Sequence, residues 1–160
     1  RNLSSAGQID DAQQLMRQAY SPWMEMPLLR TVMPIVLIGE AWEVRRDDKN
    51  LIVAEVILRE AVFAGREVWG NNHPYIARAL TDLANVLREQ HKLSEAEPIA
   101  RQALQMQRSL LGAENSDTIK SFQCLIEILD EAGKQHEGDD LRREIGAPFA
   151  ATQPVQSPPP

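Results

Sequence analysis

The sequence predicts an all-α solenoid, a stack of helical hairpins that share one continuous core. Three observations carry this. First, residues 73–104 read as two amphipathic helices. Apolar residues recur at helical spacing at Ile76, Ala77, Leu80, Leu83, Ala84 and Leu87, and again, after the polar break Glu89-Gln90-His91-Lys92, at Leu93, Ala96, Ile99, Ala100, Ala103 and Leu104. Second, the pattern returns at a shift of 42 residues, which brings Gly70 onto Gly112, Leu83 onto Leu125, Leu87 onto Leu129, Lys92 onto Lys134 and Glu95 onto Glu137. Backward shifts bring Ala96 onto Ala54 and Ala12, and Ala103 onto Ala61 and Ala19. Third, a hairpin this thin cannot bury its apolar faces alone and needs a copy of itself on each side.

Taken in order, residues 7–20 align with the second helix of a repeat, with Asp10 and Gln13 as a capping pair. The matching first helix would precede Arg1, so the chain reads as starting half-way through a repeat. Pro22 is expected to end this helix early, and Pro27 permits a loop or a fresh helix start. Residues 31–48 form the next first helix, with Pro34 tolerated in its opening turn. Its dense run VMPIVLIGEAW reads as a fully packed central helix, with an exposed binding patch as the alternative. Asn50 caps a second helix that Gly70 ends. In the central repeat, residues 73–111, Ser94 and Glu97 form a capping box at the start of the second helix. Residues 116–132 follow, with Asp117 near the positive helix end and Gly133 closing. Residues 135–146 make a polar final helix anchored by Leu141 and Ile145, a solvating cap. The repeats are therefore a half repeat at 7–20, then 31–69, 73–111 and 115–146, within a helical domain spanning 1–146. Residues 147–160, APFAATQPVQSPPP, are a Pro-rich tail expected to be disordered.

A WG or LG step before the next first helix, HP at its start, LxxLAxxL within it, and then KLSEAEPIARQAL resemble the tetratricopeptide repeat of the kinesin-light-chain type. The usual tetratricopeptide period is 34, and the extra residues here would lengthen each paired helix by about one turn. A HEAT-type repeat, with a period of roughly 40 to 47, also fits; the Ala-rich second helix and the HP start favour the tetratricopeptide reading. The resemblance implies a right-handed superhelix of about three and a half repeats, with the first helices lining a concave groove. It also implies a non-enzymatic protein–protein interaction module that binds a peptide or helical segment in that groove. Two further roles fit the same pattern. One is a regulatory or sensor segment of a larger signalling protein, such as a nucleotide-binding ATPase of the immune-receptor type. The other is a self-assembling homo-oligomer that stacks through the open edge at residues 7–20.

Composition and motifs narrow the chemistry. A net charge of −6 and a pI near 5.1 argue against nucleic-acid or anionic-membrane partners. The longest uncharged apolar run, Thr31 to Gly39, is far short of the ~20 residues that cross a bilayer. A cytoplasmic location is expected. Cys124 is the single cysteine, which excludes an intramolecular disulfide framework and a multi-thiol zinc site. His73, His91 and His136 have no second ligand at helical spacing, so no metal is expected. No phosphate-binding glycine loop or nucleophile elbow occurs, and neither a cofactor nor an enzymatic activity is expected. With Leu83 and Ala84 matching the packing pair of the first helix, the resemblance implies that the groove-facing residues are Arg78, Thr81, Asn85 and Arg88, then Lys120, Gln123 and Glu127 one repeat on, and Arg46 one repeat back. That polar, partly basic set suits an extended peptide bearing an acidic group. Residues 112–146 hold nine acids against four basic residues, while 51–111 balance at seven each, so the last repeat is the acidic end of the groove.

Overall fold

The periodicity is realised as seven helices: α1 Leu3–Met24, α2 Pro27–Asp47, α3 Leu51–Trp69, α4 Pro74–Glu89, α5 Leu93–Leu111, α6 Ser116–Glu131 and α7 Gln135–Ala151. A computed structural model describes residues 3–47 and 50–151, apart from the side chains of 3–10, 23, 24, 27, 28, 46, 47 and 147–151. Among the described residues there is no strand. Hairpins α2–α3 and α4–α5 pack tightly, each second helix packs on the next first helix, and α6–α7 closes the series. The architecture is the all-α repeat solenoid that the sequence predicts. Its core runs unbroken from Leu37 to Leu129.

Local signals set the helix ends. His73 is extended and its Nδ1 accepts the Tyr75 amide at 3.3 Å, while Pro74 takes the first helical position, where a missing N–H costs nothing. The imidazole also stacks on Trp69 at 4.5 Å, tying the end of α3 to the start of α4. Asn50 and Asn115 cap α3 and α6 through their side-chain oxygens. The expected capping box at Ser94 does not form. Helix α5 begins at Leu93 with Lys92 as an N-cap lacking a side-chain bond. Glu97 is drawn away instead by Lys134 and Arg101. At the end of α4 the amide of Lys92 bonds Leu87 O at 2.9 Å, and at the end of α6 Lys134 repeats this with Leu129 at 2.8 Å. The residue before each is left-handed: His91 with φ 59° and Gly133 with φ 75°.

The two ends differ from expectation. Helix α1 starts at Leu3, so the capping pair at Asp10 and Gln13 is not used, and the helix passes through Pro22 to Met24 before α2 starts at Pro27. A proline late in a helix loses one bond near its end, where carbonyls are already unpaired. At the other end α7 continues past Gly146 to Ala151, so the tail expected from residue 147 begins with helix. Alanines 147, 150 and 151 favour that extension. Residues 152–160 lie outside the described residues.

The 42-residue register holds for the second helices, where Ala54, Ala61, Ala96, Ala103 and Gly138 are all buried. It also holds from α4 to α6, where Ile76, Leu80, Leu83 and Leu87 give way to buried Thr118, Phe122, Leu125 and Leu129. It fails between α2 and α4. Met33, Pro34, Leu37, Ile38 and Ala41 are the buried face of α2, and they match Ile76, Ala77, Leu80, Thr81 and Ala84 at a shift of 43. The stretch between α2 and α3 thus holds one residue more than its counterparts, and α2 is turned by ~100° relative to a constant period. The dense run on α2 is also packed on one side only. Val32, Ile35, Val36 and Trp42 are exposed, so it is not the fully packed helix expected.

The second helices are joined by a repeated set of ion pairs. Lys92 reaches back to Glu55 at 2.8 Å, and Glu55 also holds Arg59, which reaches forward to Glu95 at 3.2 Å. One repeat on, Lys134, Glu97, Arg101 and Glu137 make the same chain of contacts.

Candidate functional site

The inner sides of α2, α4 and α6 enclose a cavity of about 310 Å³. Helix α4 supplies its centre with Arg78, Thr81, Asp82, Asn85 and Arg88. Helix α6 supplies Asp117, Lys120, Gln123, Cys124 and Glu127, and α2 supplies Trp42 and Arg45. Spacings of three, four and seven keep these residues on one helical side, opposite the buried leucines.

A buried polar network forms the floor. Thr81 Oγ1 donates to Ala77 O at 3.1 Å and lies 2.6 Å from Ser121 Oγ, which also bonds Gln107. The Cys124 thiol points at Thr81 O from 3.8 Å, and burial pushes its pKa up to about 12. It is an inert thiol. Asp82 is buried and takes the indole N–H of Trp42 at 3.0 Å. Burial raises its pKa, and the Trp42 bond with the nearby charges of Arg78, Arg45 and Lys120 only partly offsets this.

The cations of the rim are in three states. Arg88 is committed: its Nη1 donates to Glu131 at 2.7 Å and its Nη2 lies 2.9 Å from Glu127. Burial alone lowers its pKa, but Glu131 and Glu127 together hold the guanidinium above its usual value. Arg45 is paired with Glu89 in the same manner, one repeat earlier. Lys120 touches Asp117 at 3.1 Å and is otherwise open to water. Arg78 is exposed and makes no ion pair among the described residues. Asn85 and Gln123 have no hydrogen bond from their side chains among the described residues.

Seven of the eight residues expected from sequence, namely Arg78, Thr81, Asn85, Arg88, Lys120, Gln123 and Glu127, therefore border one cavity. Two of them are not free to meet a ligand, since Thr81 is bound into the floor and Arg88 into the acids of α6. The eighth, Arg46, has a side chain outside the described residues; Arg45 lines the groove in the position expected of it. The one-residue slip of α2 accounts for this, because at a shift of 43 Arg45 answers to Arg88 and Trp42 to Asn85. The same slip hid Trp42 from a constant-period reading. Asp82 gave no local signal, because what marks it is the indole of Trp42, 40 residues earlier in the chain.

Against known families, residues 41–109, from the middle of α2 to near the end of α5, match the tetratricopeptide repeat model. The match takes in the two hairpins that build the centre of the groove. No curated protein matches the chain. Tetratricopeptide repeats generally mediate contacts between proteins and are non-catalytic. Among the described residues no cluster of His, Cys, Asp or Glu is arranged to hold a metal ion, and no helix is long and apolar enough to cross a membrane.

Proposed function

We propose that this array is a non-enzymatic interaction module that takes an extended peptide segment in the groove of α2, α4 and α6. The 42-residue spacing and the HP helix start support a kinesin-light-chain-like subtype of the repeat. The observation that carries the reading is Arg78, which lines a cavity of about 310 Å³ and makes no ion pair among the described residues, whereas Arg45 and Arg88 at the other end of α4 are held by acids. A cation left unpaired there is available to a carboxylate, while Asn85 and Gln123 offer amides to a peptide backbone. Trp42 and Ile35 supply an apolar end on α2. Charge-assisted bonds of this kind contribute roughly 1.5 to 3 kcal/mol when shielded from water.

The test is a peptide-display selection on the wild-type chain, followed by calorimetric titration of the selected peptides. Arg78→Glu should weaken them by at least about tenfold, the equivalent of ~1.4 kcal/mol. Arg143→Glu, on the exposed side of α7, should leave them unchanged. Equal affinity for wild type and Arg78→Glu would place the peptide elsewhere. Arg88→Glu is a poor probe, because it would set a third acid against Glu127 and Glu131 and loosen the array itself.

A further inference from the structure

Arg78 and Lys120 occupy the same position one repeat apart, each the fifth residue of its helix. Both line the cavity, and both charges act on the buried Asp82 carboxyl, so they face one floor. Farther along the first helices the cations are taken: Glu89 holds Arg45, and Glu127 with Glu131 holds Arg88. Lys120 has Asp117 beside it at 3.1 Å, an exposed pair within one turn of helix, and such a pair is weak in water. Arg78 is exposed although α6 follows α4 in the stack, so this position is open by its place on the helix and not because the array stops.

One helix-to-helix step separates the two cations. Helices α4 and α6 touch directly, with Thr81 Oγ1 2.6 Å from Ser121 Oγ. Helices in contact have axes ~8–10 Å apart. A ligand lying across both must present two acids on one side at about that interval. A β-strand does not: at ~3.3 Å per residue with alternating faces, its same-side side chains fall ~6.6 or ~13 Å apart. An α-helix reaches ~10.5 Å only with residues roughly seven apart, and it is ~10–12 Å across. That is too bulky for a cavity of about 310 Å³. A polyproline II segment has about three residues per turn and rises ~3.1 Å per residue, which puts every third side chain on one side at ~9.3 Å. Its backbone makes no internal hydrogen bonds, so its carbonyls can accept from the Asn85 amide on the same wall. Prolines also pack on aromatic rings, and Trp42, its indole N–H bonded to Asp82, stands half exposed on the α2 side.

Taking the groove reading above as given, we propose that its ligand is a polyproline II segment with an acid at every third residue, one carboxylate on Arg78 and the next on Lys120. The two cations set the charge, and the step from α4 to α6 sets the spacing. The chain's own Pro-rich residues 147–160 do not fit, because they contain no Asp or Glu.

The test uses the full chain and capped synthetic peptides of about nine residues, proline throughout except for two glutamates. Calorimetry at low salt should find the peptide with glutamates three apart bound at least about tenfold more tightly than isomers with glutamates two or four apart. Glycine in place of the prolines keeps the acids but frees the backbone, and should weaken binding by about tenfold or more. Arg78→Glu and Lys120→Glu should each weaken it by about tenfold or more, and the double variant should prefer a twin peptide with lysines three apart. Both substitutions alter exposed side chains and should keep the wild-type melting temperature, which is measured alongside. Equal binding of the isomers, equal binding of the glycine peptide, or indifference to Lys120→Glu overturns the proposal. If none of these peptides binds while display-selected peptides still lose affinity with Arg78→Glu, the proposal fails and the groove reading stands. If the selected peptides are indifferent to Arg78→Glu, both fail.

Discussion

The two ion-pair chains along the second helices use the same four residues, yet they sit in different surroundings. In Lys92–Glu55–Arg59–Glu95 the central carboxylate is 1% exposed, and in Lys134–Glu97–Arg101–Glu137 it is 17% exposed, with Arg101 and Lys134 nearly half in water. The difference arises from position in the stack. Glu55 lies under the Gln90–Lys92 turn of the following hairpin, where Gln90 also bonds Leu51 O, while over Glu97 the counterpart of Gln90 is Ala132. The chemistry repeats and the energy does not, because an ion pair in water contributes little and one removed from water depends on its partners. The N-terminal junction lacks the motif altogether, since Gln13 and Asn50 stand where Glu55 and Lys92 would.

The largest effect that sharpens this contrast concerns the small-residue stripe. Ala96→Glu buries an unpaired charge between α4 and α5 and should cost several kcal/mol, roughly 3 to 5. Ala19→Glu, on the same stripe at the open edge, should cost under ~0.5 kcal/mol. Chemical denaturation of both variants measures the gap, and similar losses would contradict the exposure of Ala19.

Next come the ion-pair chains themselves. Glu55→Ala should cost about 2 kcal/mol, because it leaves Arg59 and Lys92 unpaired and partly shielded. Glu97→Ala should cost no more than ~1 kcal/mol and should be masked by salt. Equal losses in high salt would break the comparison.

Acid titration gives a third measure. Burial raises the Glu55 carboxyl, but bonds from Lys92 and Arg59 outweigh it and hold the pKa below the ordinary value; the Lys134 bond does the same for Glu97. Folding therefore gains stability from both above the ordinary glutamate pKa of about 4.3, and loses it as pH falls through and below that value. Asp82 has the opposite sign. Its folded pKa is raised, so its ionised form costs stability above that pKa. Asp82→Asn should raise the melting temperature at neutral pH and lose that advantage in acid, while Glu55→Gln should flatten the acid limb. Melting curves across pH separate the two.

The smallest effect lies in the turns. His91 holds the left-handed conformation that Gly133 holds one repeat later. His91→Gly should stabilise by ~0.5–1 kcal/mol and Gly133→Ala should destabilise by about 1 kcal/mol. Thermal melts of the two variants should move in opposite directions.

Much of the array was legible in the sequence because its signals are local. The alanine stripe, the HP start and the glycine stops each act within a turn or two of their own helix. Leucine spacing set the packed side of α4 and α6, and the family resemblance made the opposite side the groove. What escaped was non-local. The rotation of α2 is set by Met33, Leu37 and Ala41 seeking the core, and the extra residue before α3 absorbs the difference, so counting 42 from Arg88 arrives at Arg46 and misses Arg45. The commitment of Arg88 depends on acids a repeat away, and the failure of the Ser94 box depends on Lys134, 40 residues downstream.

The stacked Trp69 and His73 at the junction of α3 and α4 have an optical consequence. An imidazole in face-to-face contact with an indole quenches its emission, and the quenching vanishes once the rings part by a few ångströms. Trp69 is therefore a built-in lamp for one hinge of the spring. If the superhelix stretches under load or on binding, by hinging between hairpins and not by unfolding, a His73→Phe control can separate the brightening of Trp69 from the emission of the other two tryptophans, Trp23 and Trp42.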